Sequence, residues 1–383
     1  MTSAMQKILL LHASAGAGHR KAAEAIERGL RRRGISPTIA DALTYTSPLF
    51  RRAYVRGYER MVREHSKLWA TFFDLTDTPS LRPMVRSVRR LGHALSTRSL
   101  VKRVQEGQFD TIVSTHFLST EVVGDLRLRG AIGARLVTVV TDYDVHTIWL
   151  SKGVDFYLVA AESTRRKMLT LGVEPQRIAV TGIPVDETFV TPRDRASTRR
   201  RLGLDPDRFT LLLSTSSFGF EPIEQLAALL EDFQIIVICG HNEVLYRRMC
   251  AHWRPRHAIH RFVHNMDEMV AASDVVITKP GGLTIAEALA SRVPLVFFSA
   301  IPGQEERNVR VLAEHGIGSS PGSLEGIASE IRRLSSHPDA LREARNRAEA
   351  LARPDSVSAI IDRLVGAPGG SLASEADLQG CML

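Results

Sequence analysis

The sequence predicts an α/β protein made of two doubly wound, Rossmann-like domains facing each other across a cleft. Three observations predict it. Short apolar, strand-like runs alternate with helical stretches along the chain, the pattern of parallel sheets covered by helices. The chain has 383 residues, room for two domains with a core each. A segment from Val190 to Asp207, with Pro192, Arg199, Arg200, Arg201 and Pro206, separates two such alternating series. An N-terminal domain is therefore expected at 1–195, a C-terminal domain at 196–366, and a Gly/Ser-rich disordered tail at 367–383.

In the first half, strands are expected at 7–12, 36–40, 110–116, 135–141, 155–160 and 177–182. In the second half they are expected at 209–214, 234–239, 259–263, 275–278 and 294–298. The helix after the first strand buries Ala22, Ile26 and Leu30 at i, i+4 and i+8, and Gly34 ends it. From Phe50 onward, Ala53, Tyr54, Gly57, Tyr58, Met61 and Val62 complete an apolar helical stripe. Arg51, Arg52, Arg56, Arg60 and Arg63 fall on its other faces, and Leu68, Trp69, Phe72 and Phe73 follow. Such a helix suits either an anionic lipid surface or a core contact with a solvated arginine face.

A content of 44% hydrophobic and 24% charged residues is that of a globular protein. No apolar run approaches the roughly 18–20 residues of a spanning helix, and no secretory signal pattern opens the chain. The cysteines Cys239, Cys250 and Cys381 are scattered without metal spacing, which points to a reducing, cytoplasmic setting. Charge is uneven. Residues 1–200 hold 32 basic and 19 acidic side chains, the remainder 18 and 23, so the halves should meet different partners. Residues 50–103 alone carry 13 basic and 4 acidic side chains, which favours an anionic partner. An anionic membrane or an acidic substrate would fit, while nucleic acid is disfavoured because no recognised binding module accompanies the charge.

Two loops carry the chemistry in the second half. Val275-Val276-Ile277 leads through Lys279-Pro280-Gly281-Gly282 into a helix, and such a turn offers free backbone N–H groups to an anion, typically a phosphate. The next strand leads into Ile301-Pro302-Gly303-Gln304-Glu305-Glu306, whose amide and carboxylates can bind hydroxyls. In a parallel sheet both loops emerge at the strand edge where ligands bind, which suggests a nucleotide-sugar site. Thr284 to Glu287 equally fits a capping box. In the first half, Gly16-Ala17-Gly18-His19 follows the first strand and sets His19 at a helix entrance, where a neutral imidazole can act as a base. A Gly-rich turn with an exposed capping histidine fits the same residues. Without a third glycine or a ribose acid at the expected distance, it is not a dinucleotide fingerprint. His116, at a strand end, suits a cleft or a core equally. Asp142-Tyr143-Asp144 has the spacing of a metal-binding Asp-x-Asp, but the strand pattern does not suggest a metal there, and Asp144 is expected in solvent.

Together these segments resemble the family-28 glycosyltransferases of the GT-B fold, most closely the branch of monogalactosyldiacylglycerol synthases and processive diacylglycerol glucosyltransferases. The ordered likeness also takes in Tyr54, Tyr58, Val62 to Trp69, Ser114 to His116, Thr141 to Trp149, Gly182 to Val185 and Phe262 to Glu268. The resemblance implies inverting transfer of glucose or galactose from a UDP-sugar to the free hydroxyl of diacylglycerol, with no metal or other cofactor. His19 would be the general base. Gly282 and Thr284 would lie at the diphosphate, Glu287 on the ribose hydroxyls and Val263 against the uracil. Gln304 and Glu305 would read the sugar. Tyr54, Tyr58, Trp69, Asp142, His146 and Trp149 would serve the acceptor and membrane side. The family's glycine-rich turn is here Ser214 to Gly219, with Gly219 its only glycine. A peripheral enzyme on the inner face of the cell membrane is expected. Rival readings are a family-28 enzyme with another acceptor (a polyprenyl-linked sugar or a small metabolite), a UDP-sugar 2-epimerase, and a non-catalytic UDP-sugar sensor. The sequence leaves the choice of hexose, single or repeated transfer, and oligomeric state open.

Overall fold

A computed structural model describes residues 6–14, 16–78, 96–215, 222–251, 257–298 and 300–365. In chain order the first half carries β1 Ile8–His12, α1 Gly18–Arg32, β2 Thr38–Asp41, α2 Pro48–Glu64, α3 Ser66–Asp77, α4 Arg98–Gly107, β3 Thr111–Ser114, α5 Phe117–Leu128, β4 Arg135–Val139, β5 Phe156–Val159, α6 Glu162–Thr170 and β6 Ile178–Val180. The second half has the same rhythm. It carries α7 Arg195–Arg201, β7 Thr210–Ser214, α8 Ile223–Leu229, β8 Gln234–Ile238, α9 Glu243–Ala251, β9 His257–His260, α10 Met266–Ala272, β10 Val275–Thr278, α11 Gly282–Ala290, β11 Leu295–Phe297, α12 Gln304–Glu314, α13 Leu324–Ser336, α14 Pro338–Leu351 and α15 Ser356–Val365.

The strands form two parallel sheets, ordered β2–β1–β3–β4–β5–β6 and β11–β10–β7–β8–β9. Helices on both faces explain why β1, β3, β7, β8 and β10 are buried along their whole length. Strand order reverses direction between β1 and β3 in one sheet and between β7 and β10 in the other. Those switch points open a crevice at the carboxyl strand edge, and in this chain the loops above them meet.

Three local departures from expectation matter. The strand expected at 259–263 ends at His260, where its partner β8 ends at Ile238. Phe262 and Val263 therefore stand in the loop above the strand edge. The helix after β10 starts at Gly282 with Gly281 as its cap, so Thr284 and Glu287 lie inside it and form no capping box. Finally α15, within the segment 196–366, covers the first sheet. Its Ile360, Ile361 and Leu364 pack with Ile8, Leu10, Ile26 and Leu30.

Two further helices bear on the site. Ser47 accepts the Phe50 N–H and Pro48 occupies the first turn, which starts α2. The chain bends at His65 and continues as α3. In the connecting segment, Arg199 of the arginine run is buried. Its guanidinium donates to Asp274 at 2.6 Å, to the Ala272 carbonyl at 2.8 Å and to the Pro206 carbonyl at 2.9 Å. Arg199 thus anchors α7 to the second domain, while Arg200 and Arg201 are exposed.

Candidate active site

One cavity of about 330 Å³ lies between the two sheets' switch points. From the first domain it is lined by Gly16 to Lys21, Thr141 and Asp142, and from the second by Ser214, Thr215, His241, Phe262, Val263, Lys279, Gly281 to Thr284, Glu287, Gln304, Glu305 and Asn308. Of the residues singled out in the sequence, the structure brings together His19, Asp142, Val263, Gly282, Thr284, Glu287, Gln304 and Glu305.

His19 sits on the first turn of α1. Its Nδ1 is 2.7 Å from the Thr115 carbonyl and 3.0 Å from the Thr141 hydroxyl. A carbonyl only accepts, so Nδ1 carries the ring proton and Nε2 keeps a free lone pair. Burial lowers the imidazole to about 4, and the Thr115 hydrogen bond offsets only part of that. The ring is thus neutral at physiological pH. His116, edge-on to His19 with ring centroids 4.6 Å apart, is buried and takes the Leu118 N–H on its Nδ1 at 3.1 Å. That settles it as a helix cap that backs the His19 ring.

Opposite stands the first turn of α11. In any α-helix the first N–H groups lack intrahelical acceptors, here those of Gly282, Leu283 and Thr284, and the dipole adds positive potential. Gly282 has a second reason to be glycine. A Cβ there would lie 2.0 Å from the Thr141 carbonyl oxygen, because the first domain's backbone passes directly over it. One turn on, Glu287 is buried and its carboxyl is pushed up to about 7, mainly by burial. Lys21 of α1 lies 4.0 Å away and pulls it partly back. At the far end, the His241 and Phe262 rings stack at 4.7 Å beside Val263, forming an aromatic wall suited to a planar base.

The third element is the start of α12. Gln304 Nε2 donates to both oxygens of Asp142, at 3.0 and 3.2 Å. Glu305 accepts the Ile301 N–H at 2.6 Å and Glu306 the Gly303 N–H at 3.0 Å, so both carboxylates shape their own loop. Asn308, which sequence reasoning passed over, is fully buried. Its Oδ1 accepts the N–H groups of Tyr143 and Asp144, and its Nδ2 donates to the Pro280 carbonyl at 3.0 Å. The available signal was its spacing, one helical turn after Gln304 on the same face. Asp144 is not solvated; it pairs with Lys167 at 2.7 Å.

Among the described residues, the remaining candidates do not line the cavity, although Trp149 reaches the Asp142 carboxylate from behind. His146 is buried, and its Nε2 donates to the Phe73 carbonyl at 2.9 Å while Nδ1 accepts the Ile148 N–H, so it fastens α3 to the loop after β4. Trp149 is buried in the first domain's core, 6.2 Å from His19 between ring centroids. Trp69 clusters with Phe72 and Phe73 on α3, and half-buried Tyr54 packs against the core from α2. Tyr58 belongs to α2, but its side chain, like Gly219 and the tail 367–383, lies outside the described residues. On its inner face α3 meets the second domain: Arg307 pairs with Asp74 at 2.7 Å and Asp77 at 2.5 Å, and Phe73 packs on Gly303.

A family model of monogalactosyldiacylglycerol (MGDG) synthase matches residues 19–185, and one of the glycosyltransferase family 28 C-terminal domain matches 220–356. A protein of Nicotiana tabacum, named as a probable chloroplastic monogalactosyldiacylglycerol synthase, is 30% identical over 380 residues, covering 93% of this chain and 70% of that one. A processive diacylglycerol beta-glucosyltransferase of Staphylococcus aureus is 34% identical over 206 residues, 52% of this chain and about half (53%) of its own length. The crystal structure of Acinetobacter baumannii MurG shares the fold, with a TM-score of 0.59 and 16% identity over 93% of this chain and 98% of that one. Two parallel-sheet domains enclosing a cleft at their facing strand edges are the GT-B fold, and the family-28 C-terminal domain makes the chain a glycosyltransferase of that fold. Within that class the chain belongs to the monogalactosyldiacylglycerol synthase family of hexosyltransferases, with a family-28 C-terminal domain.

The contact at Gly282 is directly testable. Gly282→Ala drives a methyl group into a backbone oxygen that cannot rotate away, and should cost at least the roughly 1–3 kcal/mol of an overpacked site. Gly281→Ala meets nothing within 4 Å and should be nearly neutral. Thermal unfolding of both variants checks this, and equal midpoints would contradict the contact.

Proposed function

We propose that the protein transfers glucose or galactose from a UDP-sugar to the free hydroxyl of 1,2-diacylglycerol, with inversion and without a metal. The observation that carries the reading is the neutral His19 facing the α11 N-terminus across one cavity. His19 Nε2 takes the proton of the lipid hydroxyl as its oxygen attacks the anomeric carbon. The bond from that carbon to the diphosphate oxygen breaks on the opposite side, and UDP departs. Charge developing on the diphosphate meets the N–H groups of Gly282 to Thr284, a preorganised field that needs no reorganisation. Glu287 is assigned to the ribose, the wall at Val263 to the uracil, and the Gln304–Glu305 turn to the hexose.

The acceptor and the membrane follow from the names of the relatives and from the outer face of α2 and α3. Leu49, Leu68, Phe72 and Leu75 are 79%, 58%, 53% and 51% exposed, and Leu68, Phe72 and Leu75 share one face of α3. Arg51, Arg52, Arg56, Arg60 and Lys67 are exposed on the same two helices. Apolar side chains flanked by cations suit an anionic bilayer surface, each cation contributing about 1 kcal/mol. No helix among the described residues is long and apolar enough to cross a membrane. On this reading the enzyme binds peripherally at the cytoplasmic face of the cell membrane and takes diacylglycerol from it.

Incubating the protein with labelled UDP-glucose or UDP-galactose and anionic vesicles containing diacylglycerol should yield a monoglycosyldiacylglycerol. Sugar transfer only to a soluble acceptor would contradict the reading, as would conversion of the UDP-sugar without any acceptor. His19→Ala should lower turnover by at least the roughly 10²–10⁴-fold typical of a general base while UDP still binds. Because the His19 pKa is lowered to about 4, the base stays neutral down to that pH, and transfer should not lose it near pH 6.5. Unchanged turnover in His19→Ala would remove it as the base. Phe72→Glu should weaken sedimentation with anionic vesicles and leave UDP binding intact; undiminished vesicle binding would move the lipid contact elsewhere.

A further inference from the structure

Gln304 is the residue assigned to the donor hexose, so the end of its amide that faces the sugar decides which hydroxyls it can read. Its nitrogen lies against both oxygens of Asp142, at 3.0 and 3.2 Å. An ionised carboxylate only accepts, so the NH₂ end points to Asp142, one N–H spanning both oxygens, and the carbonyl oxygen is held facing away from it. Asp142 is 6% exposed and lines the same cavity. The backbone on either side of it is held. The Thr141 carbonyl lies over Gly282, and the Tyr143 and Asp144 N–H groups are held by Asn308. Asp142 belongs to the first domain and Gln304 to the second, so the lock forms only where the two loops meet.

We propose that Asp142 is a positioning residue for donor recognition: it fixes which way the Gln304 amide is turned, so that the carbonyl oxygen is held in one place to accept a hydrogen bond from a hexose hydroxyl. The proposal rests on the reading of this cleft as the UDP-hexose site. Burial, helped by the neighbouring Asp144 carboxylate, pushes the Asp142 carboxyl up to about 6, against hydrogen bonds from Gln304, Asn308 and Trp149 that pull it down. Below that pH a protonated Asp142 can itself donate, and the amide is free to turn over.

The test is calorimetric titration of the full chain with UDP, UDP-glucose and UDP-galactose. It compares the native protein with Asp142→Asn, Gln304→Ala and the double variant. Asparagine keeps the size of the side chain but offers either a donor or an acceptor, so the amide is no longer locked. Asp142→Asn should bind UDP within about twofold of native and lose about tenfold for the preferred UDP-hexose, the worth of one buried hydrogen bond. In the Gln304→Ala background the same change should add nothing, since Asp142 acts through Gln304. As the pH falls through about 6, the advantage of the preferred UDP-hexose over UDP should shrink more in the native protein than in Gln304→Ala, which shares the titration of the UDP terminal phosphate. Equal losses for UDP and UDP-hexose, a full loss persisting in Gln304→Ala, or a pH dependence of the hexose advantage that is the same in the native protein and Gln304→Ala would each overturn the proposal. A native protein that bound no UDP would instead bring down the reading of the cleft, which separates the two failures.

Discussion

Everything in the site depends on a backbone-to-backbone approach: the Thr141 carbonyl lies over Gly282, with no room for a side chain between them. That contact ties the loop after β4 in one domain to the first turn of α11 in the other. The same loop then acts on three residues in succession. Thr141 shares the Nδ1 proton of His19, Asp142 faces Gln304, and the amides of Tyr143 and Asp144 close on Asn308. Tautomer, amide orientation and domain spacing are therefore set by one four-residue segment.

Electrostatics explain why such a segment is kept dry. A buried carboxyl without a partner costs several kcal/mol, and Asp142 and Glu287 are both buried with carboxyls shifted upward. Each is met by a group from the opposite domain, Asp142 by Gln304 and Glu287 by Lys21. Closing the cleft thus supplies the partners that make burial tolerable. The inner face of α3 adds a third bridge, through Arg307 with Asp74 and Asp77 and through Phe73 on Gly303. Its outer face stays apolar and exposed. One helix thereby joins the basic, lipid-suited surface to the loop that carries Gln304.

Much of this was legible in the sequence, because the signals were local. Alternating apolar runs located the strands, and the two glycine-bearing loops located both rims of the cleft. His19, Gly282, Gln304 and Glu305 were marked by position relative to a strand end, and Thr284 and Glu287 by the family resemblance. What failed to show was tertiary. Asp142 looks like half of an Asp-x-Asp pair until Gln304 arrives from the other domain, 162 positions away. His146 and Trp149 share a segment with Asp142, but the turn at Thr147–Trp149 carries them into the first domain's core and under α3. Asn308 bears no motif; only the folded chain reveals that it holds Pro280 and the Tyr143 amide together. The return of α15 to the first sheet has the same origin, since an amphipathic helix does not announce which sheet it will cover.

A crystal structure of the protein with UDP-glucose or UDP-galactose tests the central claim most directly. The account predicts diphosphate oxygens on the N–H groups of Gly282 to Thr284, the ribose at Glu287, and the hexose between His19 and a Gln304 amide still held by Asp142. Nucleotide found at any other surface, or a diphosphate turned away from the α11 N-terminus, would contradict it.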